Sequence, residues 1–254
     1  MKYKCIGCEV LARPIYLCAA QSPHVIDLEL IQYGLHQHPA VLRSRIQAAI
    51  DASVGKGYDA ILLAYGLCGK STNGLKAPEA KDGMPGLRLI VPRAHDCITI
   101  FLGGRERYNR QFEQTPGTYW YVQDYLDRDD GSGTSMSIGA NTSADGEEAY
   151  AQYVEKYGKD NADYLMEIMG AWQSHYERAA YIDLGVGDGS RAEERARKDA
   201  ARRGWTYERL PGDMVLVRRL LFGEWNEDFL VVEPGQSITM TFDEKILGCA
   251  LAES

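Results

Sequence analysis

Between residues 40 and 65 the chain changes its hydrophobic period twice. Ala40–Ala52 (AVLRSRIQAAIDA) places apolar residues at helical spacing. Gly55 and Gly57 then end the helix. Asp59–Tyr65 (DAILLAY) comes next as a short, continuous apolar run of the kind found in strands covered on both faces. Upstream, Tyr3–Val10 and Val25–Tyr33 read as strands, with Pro14 closing off the segment after the first. Downstream, a loop rich in Gly, Pro and Lys spans Lys70–Gly86, Leu87–Val91 is the next strand, and Cys97–Leu102 opens a helix. Strands alternating with helices argue for a mostly parallel sheet with covering helices, an α/β fold. Ligands of such sheets sit beyond the carboxyl ends of the strands.

The second half repeats the theme. Asp127–Asp145 is small and polar and reads as a surface segment, and Gly146–His175 as largely helical. Ala180–Leu184, the charged helix Ser190–Gly204, and the strands Thr206–Leu210 and Phe229–Val232 complete the chain. The expected architecture is two Rossmann-like lobes with a cleft between them. Residues 1–120 form an N-terminal α/β lobe carrying a Cys/His site, and residues 121–254 a helical segment and second α/β lobe.

The formal net charge of -8 disfavours nucleic acid as a partner. No apolar run is long enough to span a bilayer, and MKYKCIGCEV lacks the apolar core of a secretory signal. The expectation is a cytoplasmic protein that binds neither nucleic acid nor membrane and acts on a small molecule. In that compartment its six cysteines are thiols or metal ligands rather than disulfides.

Three cysteines fall where strands end. Cys8 is near the end of the first strand, Cys68 comes after DAILLAY, and Cys97 after LRLIV, two residues beyond His95. Parallel strands would bring Cys8, Cys68, His95 and Cys97 to one rim as metal ligands. In extended chain His95 and Cys97 would share a side while Asp96 points elsewhere. Thiolate and imidazole suit zinc, and three thiolates with an open position suit an iron–sulfur cluster. A Cys–His catalytic pair without metal is the other chemistry these residues offer. Cys5 and Cys8 face opposite sides of a strand and make a poor joint site, and Cys18 and Cys249 read as small hydrophobes. His95 is the candidate acid/base, and Arg93 beside it the candidate clamp for an anionic substrate. His36 in GLHQHP faces the same rim.

Ala64–Ser71 (AYGLCGKS) fits the loose P-loop pattern, but TNGLKAPEAKDGMPG is poor material for the helix a P-loop needs. Gly66 and Gly69 are better read as shaping a tight turn around Cys68. Backbone N–H groups there, with Lys70, would bind the carboxylate or phosphate of a cofactor. Tyr181–Ser190 (YIDLGVGDGS) resembles the first motif of S-adenosylmethionine-dependent methyltransferases. Too few residues remain after it to complete that fold, so it reads as a glycine-rich turn.

CEVL at Cys8–Leu11, GLHQHP, YGLCG at Tyr65–Gly69, PRAHDC at Pro92–Cys97, PGTY at Pro116–Tyr119 and LLFGEW together resemble an uncharacterised prokaryotic family, a domain of unknown function. The resemblance covers nearly the whole chain. It implies an anaerobic one-carbon setting beside corrinoid-dependent methyltransferase systems, with corrinoid supplied by a partner protein. His95-Asp96-Cys97 with Cys68 is also similar in ligand set to zinc-dependent methyltransferases that activate thiols, which are barrels. The expected function is a zinc or iron–sulfur protein, an enzyme such as a corrinoid-linked methyltransferase. The alternatives are a non-catalytic metal or corrinoid binder or chaperone, or an iron–sulfur lyase.

Overall fold

The computed structural model describes residues 1–81, 83–128, 154, 159 and 176–252. Its first unit comprises residues 1–109, 184–187 and 211–254, and its second residues 110–183 and 188–210.

The first unit is built on strands β1 (Lys2–Cys8), β2 (Val25–Ile31), β3 (Ala60–Ala64) and β4 (Leu89–Pro92), all parallel to their neighbours. A fifth strand, β8 (Phe229–Val232), joins the edge antiparallel to β4, giving the order β2-β1-β3-β4-β8. Every residue of β3 is buried, as its unbroken apolar run requires.

Helix α1 (Ala12–Gln21) links β1 to β2, and α2 (Pro39–Asp51) links β2 to β3. Pro14 does not close off structure, as the sequence suggests; it lies in the first turn of α1. A proline there loses only an N–H that has no partner within the helix. Leu42, Ile46, Ala49 and Ile50 of α2 recur at helical spacing and pack with Ile6, Ile61, Leu63, Val91 and Leu230 of the sheet. Helices α3 (Cys97–Phe101) and α4 (Arg105–Gln114) come after β4.

The second unit has strands in the order β5 (Thr118–Val122), β6 (Arg178–Asp183), β7 (Thr206–Pro211), with β5 and β6 parallel. The short helix α5 (Gln123–Asp127) comes directly after β5. Helix α6 (Ser190–Arg203) joins β6 to β7 and buries Ala192, Ala196 and Ala200, one per turn, against Tyr119, Tyr121 and Tyr181. Gly204, with φ 71°, takes the left-handed conformation that ends the helix.

The chain then returns to the first unit through α7 (Val215–Phe222), which packs on α1, then β8 and the antiparallel ribbon of β9 (Gln236–Met240) and β10 (Leu247–Leu251). Two expectations therefore change. Phe229–Val232 is an edge of the first sheet rather than a strand of a second lobe. A cut after residue 120 falls within β5, a strand of the second unit, and the first unit takes in residues from both ends of the chain. The expected surface segment Asp127–Asp145 and helical stretch Gly146–His175 fall almost wholly outside the described residues.

Candidate functional site

In the order β2-β1-β3-β4 the connections reverse direction between β1 and β3. In sheets of this kind the carboxyl ends of the two strands at the reversal splay their loops apart and leave a crevice. Gly7 of β1 lies opposite Ala64 of β3, so Cys8 and Tyr65 are the first residues past this point.

Past Tyr65 the backbone runs against the end of β4. Leu67 N–H donates to Ala94 O at 2.8 Å and Cys68 N–H to His95 O at 2.9 Å. Gly66 permits this approach, since a Cβ there would stand 2.8 Å from Ala94 O and 2.9 Å from Asp96 N. The space that Gly66 leaves is thus filled by the β4 backbone, not held for a ligand.

Cys68, Gly69 and Lys70 are then left-handed in succession, with φ of 46°, 64° and 73°. Each non-glycine residue in that region costs about 1–3 kcal/mol and persists only when its surroundings hold it. Here Ser71 Oγ donates to Cys68 O at 2.7 Å, Thr72 Oγ1 to Gly66 O at 3.1 Å, and Arg43 Nη2 to Lys70 O at 2.9 Å. Ser71 and Thr72 are fully buried. No helix begins after Lys70, so AYGLCGKS is not a P-loop.

At the end of β4, Arg93 donates to the carbonyls of Lys245, at 3.1 Å, and Leu247. This ties Arg93, the expected substrate clamp, and with it the rim, to the β9–β10 ribbon. His95 is exposed, its ring 5.6 Å from that of Tyr108. Asp96 caps α3, accepting from Thr99 N–H at 2.9 Å and Thr99 Oγ1 at 3.1 Å. Cys97 is the first residue of that helix. The extended geometry that would align His95 with Cys97 therefore ends at Asp96. Asp96, expected to point away, is instead a charge neighbour of Cys68. His36 lies in a short helical turn after β2, stacked on Tyr33 at 5.3 Å, and burial lowers its pKa.

The electrostatics of the crevice share one sign. Burial pushes the Cys68 thiol far up, and Cys8 and Asp96 push it further. Burial raises the Asp96 carboxyl despite its bonds from Thr99 and the nearby His95. Tyr108 is pushed up to about 12 by burial, then by Asp96 and Cys97. Tyr65, 2 % exposed, is raised well above the usual phenol range by burial, then by Cys8, Cys68, Cys5 and Glu9. Its hydroxyl is buried and has no hydrogen-bond partner among the described residues. A polar group left in that state costs about 1–3 kcal/mol.

Of the expected ligands, the structure makes neighbours of Cys8 and Cys68, and sets His95 and Cys97 at the end of the adjoining strand, both beside Tyr108. Among the described residues no three His, Cys, Asp or Glu side chains are arranged to hold a metal ion. None of the six cysteines is in a disulfide, and Cys5, wholly buried, is raised to about 12 by burial, a core residue. Sequence reasoning singled out Tyr108 as a polar candidate but missed Tyr65 and Asp96 as rim residues. The spacing of Asp96 and Thr99 was the available sign of a helix cap.

A family model described as "Protein of unknown function (DUF1638)" matches residues 30–221. The chain belongs to the DUF1638 family. The match takes in GLHQHP, YGLCG, PRAHDC and PGTY, and leaves Cys8 outside it. No curated protein and no solved structure matches the chain. Among the described residues of this DUF1638 protein, no helix is long and apolar enough to cross a membrane.

Proposed function

We propose that the crevice between β1 and β3 is a thiophilic metal centre, holding zinc or an iron–sulfur cluster through Cys8 and Cys68. The observation that carries this reading is that Cys8 and Cys68, about sixty residues apart in the chain, pack on one apolar cluster past the reversal point of the sheet. Cys8 and Asp96 raise the cost of ionising Cys68, and a bound cation would relieve that repulsion and draw the thiol into thiolate form. The buried Tyr65 hydroxyl, without a hydrogen-bond partner among the described residues, supports an occupant nearby. His95 and Cys97 would complete the ligand set by turning in from the end of β4, with His95 alternatively serving as acid or base.

When bound, the metal supplies Lewis acidity or an activated thiolate. The protein would then serve anaerobic one-carbon chemistry, a corrinoid-linked methyl transfer with a corrinoid protein as partner. That setting is supported by the motif resemblance, and the fixed position of Cys68 supports a reactive centre over a passive one.

The test is metal analysis and a visible spectrum of anaerobically purified protein, with Cys8→Ser, Cys68→Ser and, as control, Cys18→Ser. We expect about one equivalent of zinc per chain, or a brown cluster spectrum, lost in the first two variants and kept in the third. Metal content unchanged by both rim substitutions would refute the centre. Uptake without demethylation of a methylcorrinoid would assign the protein to the non-catalytic class.

A further inference from the structure

A groove of about 710 Å³ lies in the first unit between α2 and the chain segment 74–79, a size ordinary for small-molecule sites. None of the residues named at the β1–β3 crevice lines it. Helix α2 contributes Arg43, Gln47 and Asp51, four residues apart and so on one stripe of the helix. Gly74, Lys76 and Glu79 belong to the facing wall. The two walls run in step. A Cβ on Gly74 would stand 3.9 Å from Arg43 Cδ. Further along, the Gln47 amide donates to Lys76 O at 3.2 Å and accepts from Lys76 N–H at 2.9 Å. Asp51 and Glu79 come next on their respective walls. The groove is therefore polarised, with a guanidinium at one end and two carboxylates at the other, about 12 Å away along the helix.

Both ends hold hydrogen-bonding capacity that the fold leaves unused. Arg43 Nη2 donates to Lys70 O at 2.9 Å, which fixes the guanidinium. Its Nε is buried without a partner, and its Nη1 has none among the described residues. Asp51 Oδ1 accepts from Gln47 Nε2 at 2.8 Å, which leaves Oδ2 for a further donor. Ala48, Ala77 and Pro78 give the stretch between the ends an apolar lining.

We infer that this groove binds a short zwitterionic peptide, about three residues long, with its terminal carboxylate on Arg43 and its terminal ammonium on Asp51 and Glu79. Charge and length set the class. A simple anion of this length meets two carboxylates at the far end, and a simple cation meets Arg43. A free amino acid carries both charges but reaches one end only. Three extended residues span roughly 10 Å, and a hydrogen bond at each terminus makes up the rest. The apolar middle suits small aliphatic side chains.

The experiment titrates trialanine into the full chain by calorimetry, beside trialanine amide, N-acetyltrialanine, alanine and pentaalanine, in wild type, Arg43→Gln and Asp51→Asn. Loss of one charge-assisted hydrogen bond weakens binding about tenfold. Trialanine should therefore bind wild type about tenfold more tightly than either blocked peptide. Arg43→Gln should weaken trialanine by a similar factor and leave the amide unchanged. Asp51→Asn should weaken trialanine and leave the N-acetyl peptide unchanged. Alanine and pentaalanine, which cannot place both termini, should bind about tenfold more weakly than trialanine.

Wild type that binds no trialanine overturns the inference. Blocked peptides that bind as tightly as trialanine overturn the charge assignment, and alanine that binds as tightly overturns the length. Variants that leave trialanine binding unchanged, or weaken free and blocked peptides alike, place the contacts elsewhere and overturn it too. The peptide series in wild type decides the matter even where a variant fails to fold.

Discussion

Replacing Gly66 by alanine tests how the crevice is held. The added Cβ meets backbone on both sides, Ala94 O at 2.8 Å and Asp96 N at 2.9 Å, against ordinary contact beyond 3.4 Å. Neither neighbour is a flexible side chain, so one strand end must retreat by about half an ångström, and overpacking of this kind costs about 1–3 kcal/mol. The retreat also stretches the bonds from Leu67 N–H to Ala94 O and from Cys68 N–H to His95 O. Weakening them adds about 0.5–1.5 kcal/mol each. The expected loss is about 2–6 kcal/mol, or roughly 5–20 °C in melting temperature for a chain of this size.

Gly57→Ala is the control. Its φ of 73° strains an alanine, which the backbone at Gly66 does not, but a Cβ there meets nothing within 4 Å. It should lose only about 1–2 kcal/mol, from backbone strain. Thermal and urea denaturation of the two variants measure the difference, and metal content should fall in Gly66→Ala alone. A Gly66→Ala protein as stable as the Gly57→Ala control would refute the close apposition of the β3 and β4 ends.

Two further outcomes are expected. Burial raises the Asp96 carboxyl, so its contribution to stability is fully present below the ordinary carboxylate value of 3.8 and is lost as pH rises through the elevated folded value. Asp96→Asn, which keeps the helix cap, should therefore gain stability relative to wild type as pH is raised above 3.8 in metal-free protein; a difference independent of pH would show that the carboxyl is not buried. In native metal-free protein, iodoacetamide should label exposed Cys249 first and reach buried Cys5 only on unfolding, as read by mass spectrometry of the peptides. Rapid labelling of Cys5 would place its thiol in solvent.

Much of the first sheet was legible because its signals are local. DAILLAY and LIVP are apolar runs bounded by turn residues, and AVLRSRIQAAIDA carries its own period, so β3, β4 and α2 emerge from pattern alone. The convergence of Cys8 with Cys68 came from the same step, since parallel strands place their ends at one rim. The features that stayed hidden were non-local or depended on a single dihedral. Nothing in FLVV says that it will lie antiparallel to β4, because edge pairing is decided by which strand is left uncovered. Asp96 could be read as strand or as cap, and its bond to Thr99 turned the chain into a helix one residue before Cys97. The empty hydrogen-bond position of Tyr65 has no sequence signature, since the same residue in the same run would read as ordinary core.

The edge strand β8 sets an order of events. Pro92 at the end of β4 is paired with Phe229, and Arg93 N–H donates to Asp228 O, so the strand that delivers His95 and Cys97 is braced by a segment made long after it. During synthesis the two thiols and the imidazole leave the ribosome well before that brace exists. A half-made chain thus lacks the finished end of β4, which waits until the polypeptide has come full circle.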